Sequence, residues 1–127
     1  MLKRKMTDHI RNWEITMPKK ALLLLGARQT GKTFTVRSYA RERNLPFIEV
    51  NFLEDEETAR FLSAATSVKE LLSRLSLVTG HAVEPGTLIF FDEIQHLGQN
   101  AVTLSKFIVE DGRYKLILSG SLLGTDL

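Results

Sequence analysis

The eight residues from Gly26 to Thr33, GARQTGKT, fit the pattern G-x-x-x-x-G-K-[ST], and nothing else in the chain restricts the fold as much. Five apolar residues, Ala21-Leu22-Leu23-Leu24-Leu25, precede it, and a helix-forming stretch follows from Lys32 to about Arg43. Gly26 and Gly31 let the backbone turn tightly and approach an anion with no Cβ in the way. The amides of such a loop and of the helix that follows then face the anion, and the helix dipole adds to the attraction. Lys32 is expected to reach the β- and γ-phosphates of a nucleotide, and the Thr33 hydroxyl to ligate Mg²⁺. The nucleotide-binding stretch is read as Gly26, Ala27, Arg28, Gln29, Thr30, Gly31, Lys32, Thr33 and Phe34.

A strand feeding a loop and a helix implies more units of the same kind, and the chain supplies them. Phe47 to Asn51 (FIEVN) reads as a second strand, after Asn44 and Pro46 have stopped the helix. Glu54 to Leu62 reads as helix. Ser67-Val68-Lys69-Glu70 is a capping box, and Val68, Leu71, Leu72 and Leu75 continue it as a helix stripe. Thr87 to Phe91 (TLIFF) is an unbroken run of strand formers, which suits a parallel strand covered on both faces. Asn100 is read as the cap of a helix with Ala101, Leu104, Phe107 and Ile108 on its inner face, ended by Gly112. Lys115 to Ser119 (KLILS) is the fourth strand. Alternation of strands and helices predicts an α/β fold with a parallel sheet. Residues 1–18 are read as an N-terminal arm with a short amphipathic helix through Ile10, Trp13 and Met17.

The run LIFFDE puts Asp92 and Glu93 just past the carboxyl end of a buried strand, the edge at which open α/β sheets hold ligands. Asp92 is assigned to the metal, opposite Thr33, and Glu93 to the attacking water, whose proton it can accept. The fourth strand ends in Ser119-Gly120-Ser121, where a hydroxyl can sense the γ-phosphate. The sequence does not distinguish Ser119 from Ser121 in that role.

Composition narrows the alternatives. Seventeen basic residues against fifteen acidic ones leave a net charge of +2, too small an excess to argue for nucleic acid. Without cysteine there is no disulfide, thiol chemistry or Cys-based metal site. His9, His81 and His96 lack ligand spacing. No apolar run approaches a membrane span and no apolar segment follows the basic start, so a cytoplasmic protein with no membrane partner is expected.

The loop GARQTGKT, the segment LIFFDEIQ and the strand and turn LILSGS, in this order, resemble the AAA-type P-loop ATPases of prokaryotes. They are most similar to a family of uncharacterised ATPases whose N-terminal AAA domain precedes a domain of unknown function. Arg28-Gln29 and Ile94-Gln95 match that pattern, and Ser119 replaces its threonine. The resemblance implies a RecA-like core over residues 21–127 with strand order 5-1-4-3-2, and ATP and Mg²⁺ as ligands. It also implies that a fifth strand and a C-terminal domain are absent, which leaves the first strand with an unpaired edge prone to self-association. The expected activity is ATP hydrolysis coupled to a conformational or partner event. A nucleotide-gated module with negligible turnover is the alternative, and a small-molecule kinase is disfavoured by Glu93. A DNA or protein partner is suggested by family analogy alone.

Overall fold

The computed structural model describes residues 2–26 and 31–121. Four strands, β1 (Leu22–Gly26), β2 (Phe47–Asn51), β3 (Leu88–Asp92) and β4 (Lys115–Ser121), form one parallel sheet in the order β1-β4-β3-β2. This is the order the resemblance implied for these four strands. The helices are α1 (Leu2–Thr16), α2 (Lys32–Glu42), α3 (Glu56–Ser63), α4 (Val68–Thr79) and α5 (Asn100–Asp111), with a 3-10 turn at Ile94–Leu97.

Strand periodicity sorts the core into two layers. Leu88 and Phe90 of β3, with Leu22, Leu24 and Ile117, meet Val36, Tyr39 and Ala40 of α2. Ile89 and Phe91 point the other way, with Ile48, Val50 and Leu116, and meet Leu62, Leu71, Leu75, Leu104 and Ile108 from α3, α4 and α5. Every residue of β3 is buried, as its uninterrupted apolar run predicts. Among the described residues no strand pairs with the outer edge of β1, and Leu23 and Leu25 stay about half exposed there.

Several element ends differ from those read in the sequence. β4 runs two residues further than expected, because Leu25 and Gly26 of β1 pair with Gly120 and Ser121. Those two residues are therefore strand and not turn. β3 likewise extends to Asp92, which pairs with Asn51. α3 starts at Glu56 because the Asn51 side chain first accepts the amides of Leu53 and Glu54, and Asp55 then caps the helix on the Thr58 amide. Asn100 is the first residue of α5 and not its cap; the cap position is Gln99, which makes no side-chain capping bond.

The larger correction concerns residues 1–18. The helix expected there is longer than read: it covers Leu2–Thr16, fifteen residues, and packs on α2. Ile10 and Trp13 are buried in the α2 layer, and the Trp13 indole donates to the Lys20 carbonyl at 2.6 Å. Met17 lies beyond the helix and is exposed. Glu14, only 8% exposed, ties α1 to α2 and to the start of β4. Its carboxylate accepts from the Tyr39 hydroxyl, from Arg43 at 3.0 Å and from Lys115 at 2.8 Å. Burial pushes its pKa up, but these donors outweigh burial and hold it at about 2. A depressed carboxylate pKa adds stability that is fully present above the unfolded value, about 4.3, and is lost as pH falls through about 2. Glu14→Gln keeps the volume and removes the charge. It should cost about 2–3 kcal/mol at pH 7, with the gap to wild type narrowing toward pH 2. Denaturant unfolding at pH 7 and pH 3 checks this, and equal midpoints at pH 7 would refute it.

Candidate functional site

Parallel strands bring their carboxyl ends to one edge, and the chemistry-bearing residues collect there. Gly26 ends β1, Ser121 ends β4 and Asp92 ends β3. Gly31 stands before α2 with φ +86°, a left-handed conformation that suits a residue without Cβ. Among the described residues no side chain caps this helix, and its first turn carries no acidic residue, which suits an anion near its N-terminus.

Lys32 begins α2 and is buried. Its Nζ donates to the Gly26 carbonyl at 3.0 Å and to the Gly120 carbonyl at 3.1 Å, so it spans the ends of both β1 and β4. Thr33 follows, and its Oγ1 donates to Asp92 Oδ2 at 2.6 Å. The other oxygen of Asp92 accepts the Glu93 amide at 2.9 Å. Burial raises the pKa of Asp92 above the usual carboxylate value; the Thr33 bond pulls it back only in part, and the neighbouring Glu93 charge pushes it further up. A carboxylate so placed gains from a cation.

Ser119 lies next to Asp92, since Phe91 pairs with Leu118 one residue earlier. Its hydroxyl is near enough to favour the Asp92 carboxylate but makes no well-formed hydrogen bond, and it is fully buried. A buried hydroxyl without a partner costs roughly 1–3 kcal/mol, so a ligand, ion or water that completes it is favoured. Ser121 is equally buried but two residue pairs further out, opposite Gly26. Glu93 leaves the strand in a left-handed conformation, φ +58°, before the 3-10 turn. Phe34 is more than half exposed, with Lys3 Nζ 4.5 Å from the centre of its ring.

The structure thus brings Gly26, Gly31, Lys32, Thr33, Asp92, Ser119 and Ser121 to one edge, with Glu93 beside them. The readings at Ala27, Arg28, Gln29 and Thr30 lie outside the described residues. The sequence reading gave no role to Gln95. Its Nε2 donates to Glu93 Oε1 at 2.6 Å and its Oε1 accepts the Ser121 amide at 3.3 Å. The signal in the sequence was its place in LIFFDEIQ, where Ile94-Gln95 match the pattern of the AAA-type ATPases that the chain resembles.

A family model described as an AAA domain matches residues 18–125. The chain is 32% identical over 107 residues to the replication factor C large subunit of Pyrococcus abyssi, a match that covers 81% of this chain and 20% of that protein. It is 33% identical over 94 residues to the ATP-dependent zinc metalloprotease FtsH 1 of Sorangium cellulosum, covering 74% and 14%. The chain thus spans a fifth or less of these relatives. Among solved structures, C. elegans PCH-2 superposes with a TM-score of 0.54 at 19% identity, over 99% of this chain and 35% of that one. At that identity the likeness concerns the fold alone.

Proposed function

This chain belongs to the AAA domain family, and on that premise we propose that it binds ATP and hydrolyses it with Mg²⁺, coupling the cycle to a conformational or partner event. The observation that carries the reading is the Thr33–Asp92 contact at 2.6 Å, with the buried Ser119 hydroxyl beside the same carboxylate. Residues that fit a magnesium–nucleotide pair are therefore together: a hydroxyl, a carboxylate that gains from a cation, and a lysine within reach of the same edge. Mg²⁺, when bound, neutralises charge on the phosphate oxygens. Thr33 and Asp92 would hold it. Lys32 binds the β- and γ-phosphates, with the amides around Gly31 behind it. Glu93 takes the proton of the water whose oxygen bonds to the γ-phosphorus as the bond to the β-phosphate oxygen breaks. Ser119 stands on the Asp92 side of that edge and is the better placed of the two serines to sense the γ-phosphate.

One observation favours a second reading, a nucleotide-gated switch with little turnover: the Glu93 carboxylate is already engaged by Gln95. Phosphate release measured beside ATP binding separates the two. Self-association through the open edge of β1, with Leu23 and Leu25 half exposed, belongs to the same proposal, as does a cytoplasmic site of action. No described helix is long and apolar enough to cross a membrane.

Asp92→Asn tests the metal assignment through stability and affinity together. A carboxyl whose folded pKa is raised makes the folded state less stable as pH rises through that pKa, so at pH 7 the ionised group is a net cost. Asparagine removes the buried charge and keeps one acceptor, for Thr33, but turns its NH2 toward the Glu93 amide, which the second carboxylate oxygen accepts in the wild type. Charge relief and the lost bond offset each other, so the nucleotide-free variant should stay within about 1 kcal/mol of wild type, while Mg²⁺-dependent ATP affinity falls about tenfold or more. Thermal unfolding and titration with and without chelator measure both. Unchanged Mg²⁺-dependent affinity would remove Asp92 from the metal site.

A further inference from the structure

Gln95 stands at a junction that joins two parts of the site. Its side-chain amide has two neighbours of opposite kind. The Glu93 carboxylate can only accept and the Ser121 amide can only donate, so the Gln95 nitrogen must face Glu93 and its oxygen Ser121. The slot that admits it is made by Gly120. A Cβ on Gly120 would lie 3.3 Å from Gln95 Oε1, 3.4 Å from Leu25 Cδ2 and 3.5 Å from Ile94 Cγ1. The first is tighter than an ordinary contact and would make the amide give by a few tenths of an ångström; the other two are ordinary.

The peptide group between Gly120 and Ser121 is therefore held at both ends. Its carbonyl, that of Gly120, accepts Lys32 Nζ at 3.1 Å. Its N–H, that of Ser121, donates to Gln95 at 3.3 Å, and Gln95 donates in turn to Glu93 at 2.6 Å. The path from the phosphate-binding lysine to the water-activating glutamate is thus one peptide unit and one side-chain amide long. Bonds in such a chain polarise one another, so a change at one end is felt at the other. Glu93 needs support of this kind. Its left-handed backbone is a conformation that costs a residue with a Cβ roughly 1–2 kcal/mol, so contacts around it must hold it there.

We propose that Gln95 is a positioning residue. It fixes the Glu93 carboxylate through its nitrogen, and through the Gly120–Ser121 peptide it links that carboxylate to Lys32, so that Glu93 responds when phosphate draws Lys32 away from the Gly120 carbonyl. The inference rests on the reading of Glu93 as the base for ATP hydrolysis.

Two variants of the native chain divide the roles. Gln95→Met keeps length and removes both hydrogen bonds. Gln95→Glu keeps the acceptor for Ser121 but loses the donor to Glu93 and sets two carboxylates together. In both, kcat should fall roughly tenfold or more, with ATP affinity within about twofold of wild type. Hydrogen exchange at the Ser121 amide, read without nucleotide, should quicken about tenfold in Gln95→Met and stay near wild type in Gln95→Glu. A kcat within twofold of wild type in both variants, while Glu93→Gln is inactive, would overturn the positioning role and leave the hydrolase reading standing. Affinity that falls in step with kcat, or equal Ser121 exchange in Gln95→Met and wild type, would also overturn it. A wild type without turnover, or an active Glu93→Gln, would instead bring down the hydrolase reading and this inference with it.

Discussion

Glu93→Gln should slow ATP turnover by about 10²–10⁴-fold and leave Mg²⁺-nucleotide affinity nearly unchanged. The substitution is isosteric. Its remaining amide oxygen still accepts from Gln95 Nε2, which lies 2.6 Å from Glu93 Oε1 in the wild type, and the residue 93 amide still donates to Asp92. Geometry is therefore kept and only the capacity to take a proton is lost, since an amide is not a base near neutral pH. Asp92→Asn should behave differently. Asp92 meets Thr33 directly, so its loss is read in Mg²⁺-dependent binding before it is read in rate. Single-turnover hydrolysis and equilibrium titration on both variants separate the roles. Two variants with the same profile would mean that Asp92 and Glu93 do not divide the labour in this way.

The parts of this site that could be read in the sequence are those in which local chemistry fixes local geometry. A glycine-flanked loop between an apolar run and a helix leaves the backbone little choice, and Lys32 and Thr33 then fall at the start of α2. A run such as LIFF has no polar side to offer water, which placed β3 in the middle of the sheet and Asp92 at its end. Strand and helix types followed from periodicity, apolar runs and helix start and stop signals, and the strand order from the resemblance to AAA-type ATPases.

What escaped depends on partners distant in the chain. The length of β4 is set by β1, nearly a hundred residues earlier, through the pairing of Gly26 with Ser121. In residues 1–18 the apolar stripe shows a short helix through Ile10 and Trp13, but not its start at Leu2 beside the exposed Lys3-Arg4-Lys5, nor what it packs on. The helix is anchored by Ile10, Trp13 and Glu14, whose partners Tyr39, Arg43 and Lys115 lie on α2, just beyond its end and at the start of β4. The contact of Gln95 with Ser121 is of the same kind. A glutamine two residues past an acidic pair has no distinctive local chemistry, and its role shows only once β4 reaches Ser121 and Gly120 leaves room for the amide.

Lys32→Ala should lower ATP affinity roughly a hundredfold or more, the loss expected when a charge-assisted contact to phosphate is removed from a partly dry site. The sequence alone suggests that such a variant keeps its stability, because a phosphate-binding lysine is taken to face the ligand. The structure argues otherwise. Lys32 is 7% exposed, and its Nζ holds the carbonyls of Gly26 and Gly120 at the ends of two neighbouring strands. Alanine leaves those carbonyls without this donor, and a cost of about 1–3 kcal/mol in the nucleotide-free protein should follow. The loss of stability sets this variant apart from Asp92→Asn, which also weakens nucleotide binding but removes a buried charge together with one hydrogen bond and should stay near wild-type stability. Binding and thermal unfolding measured together on the two variants make the comparison. Unchanged ATP affinity in a folded Lys32→Ala would show that this loop is not the nucleotide site. Unchanged stability would show that the bonds to Gly26 and Gly120 add nothing net in water, and that Lys32 is held in place for its ligand alone.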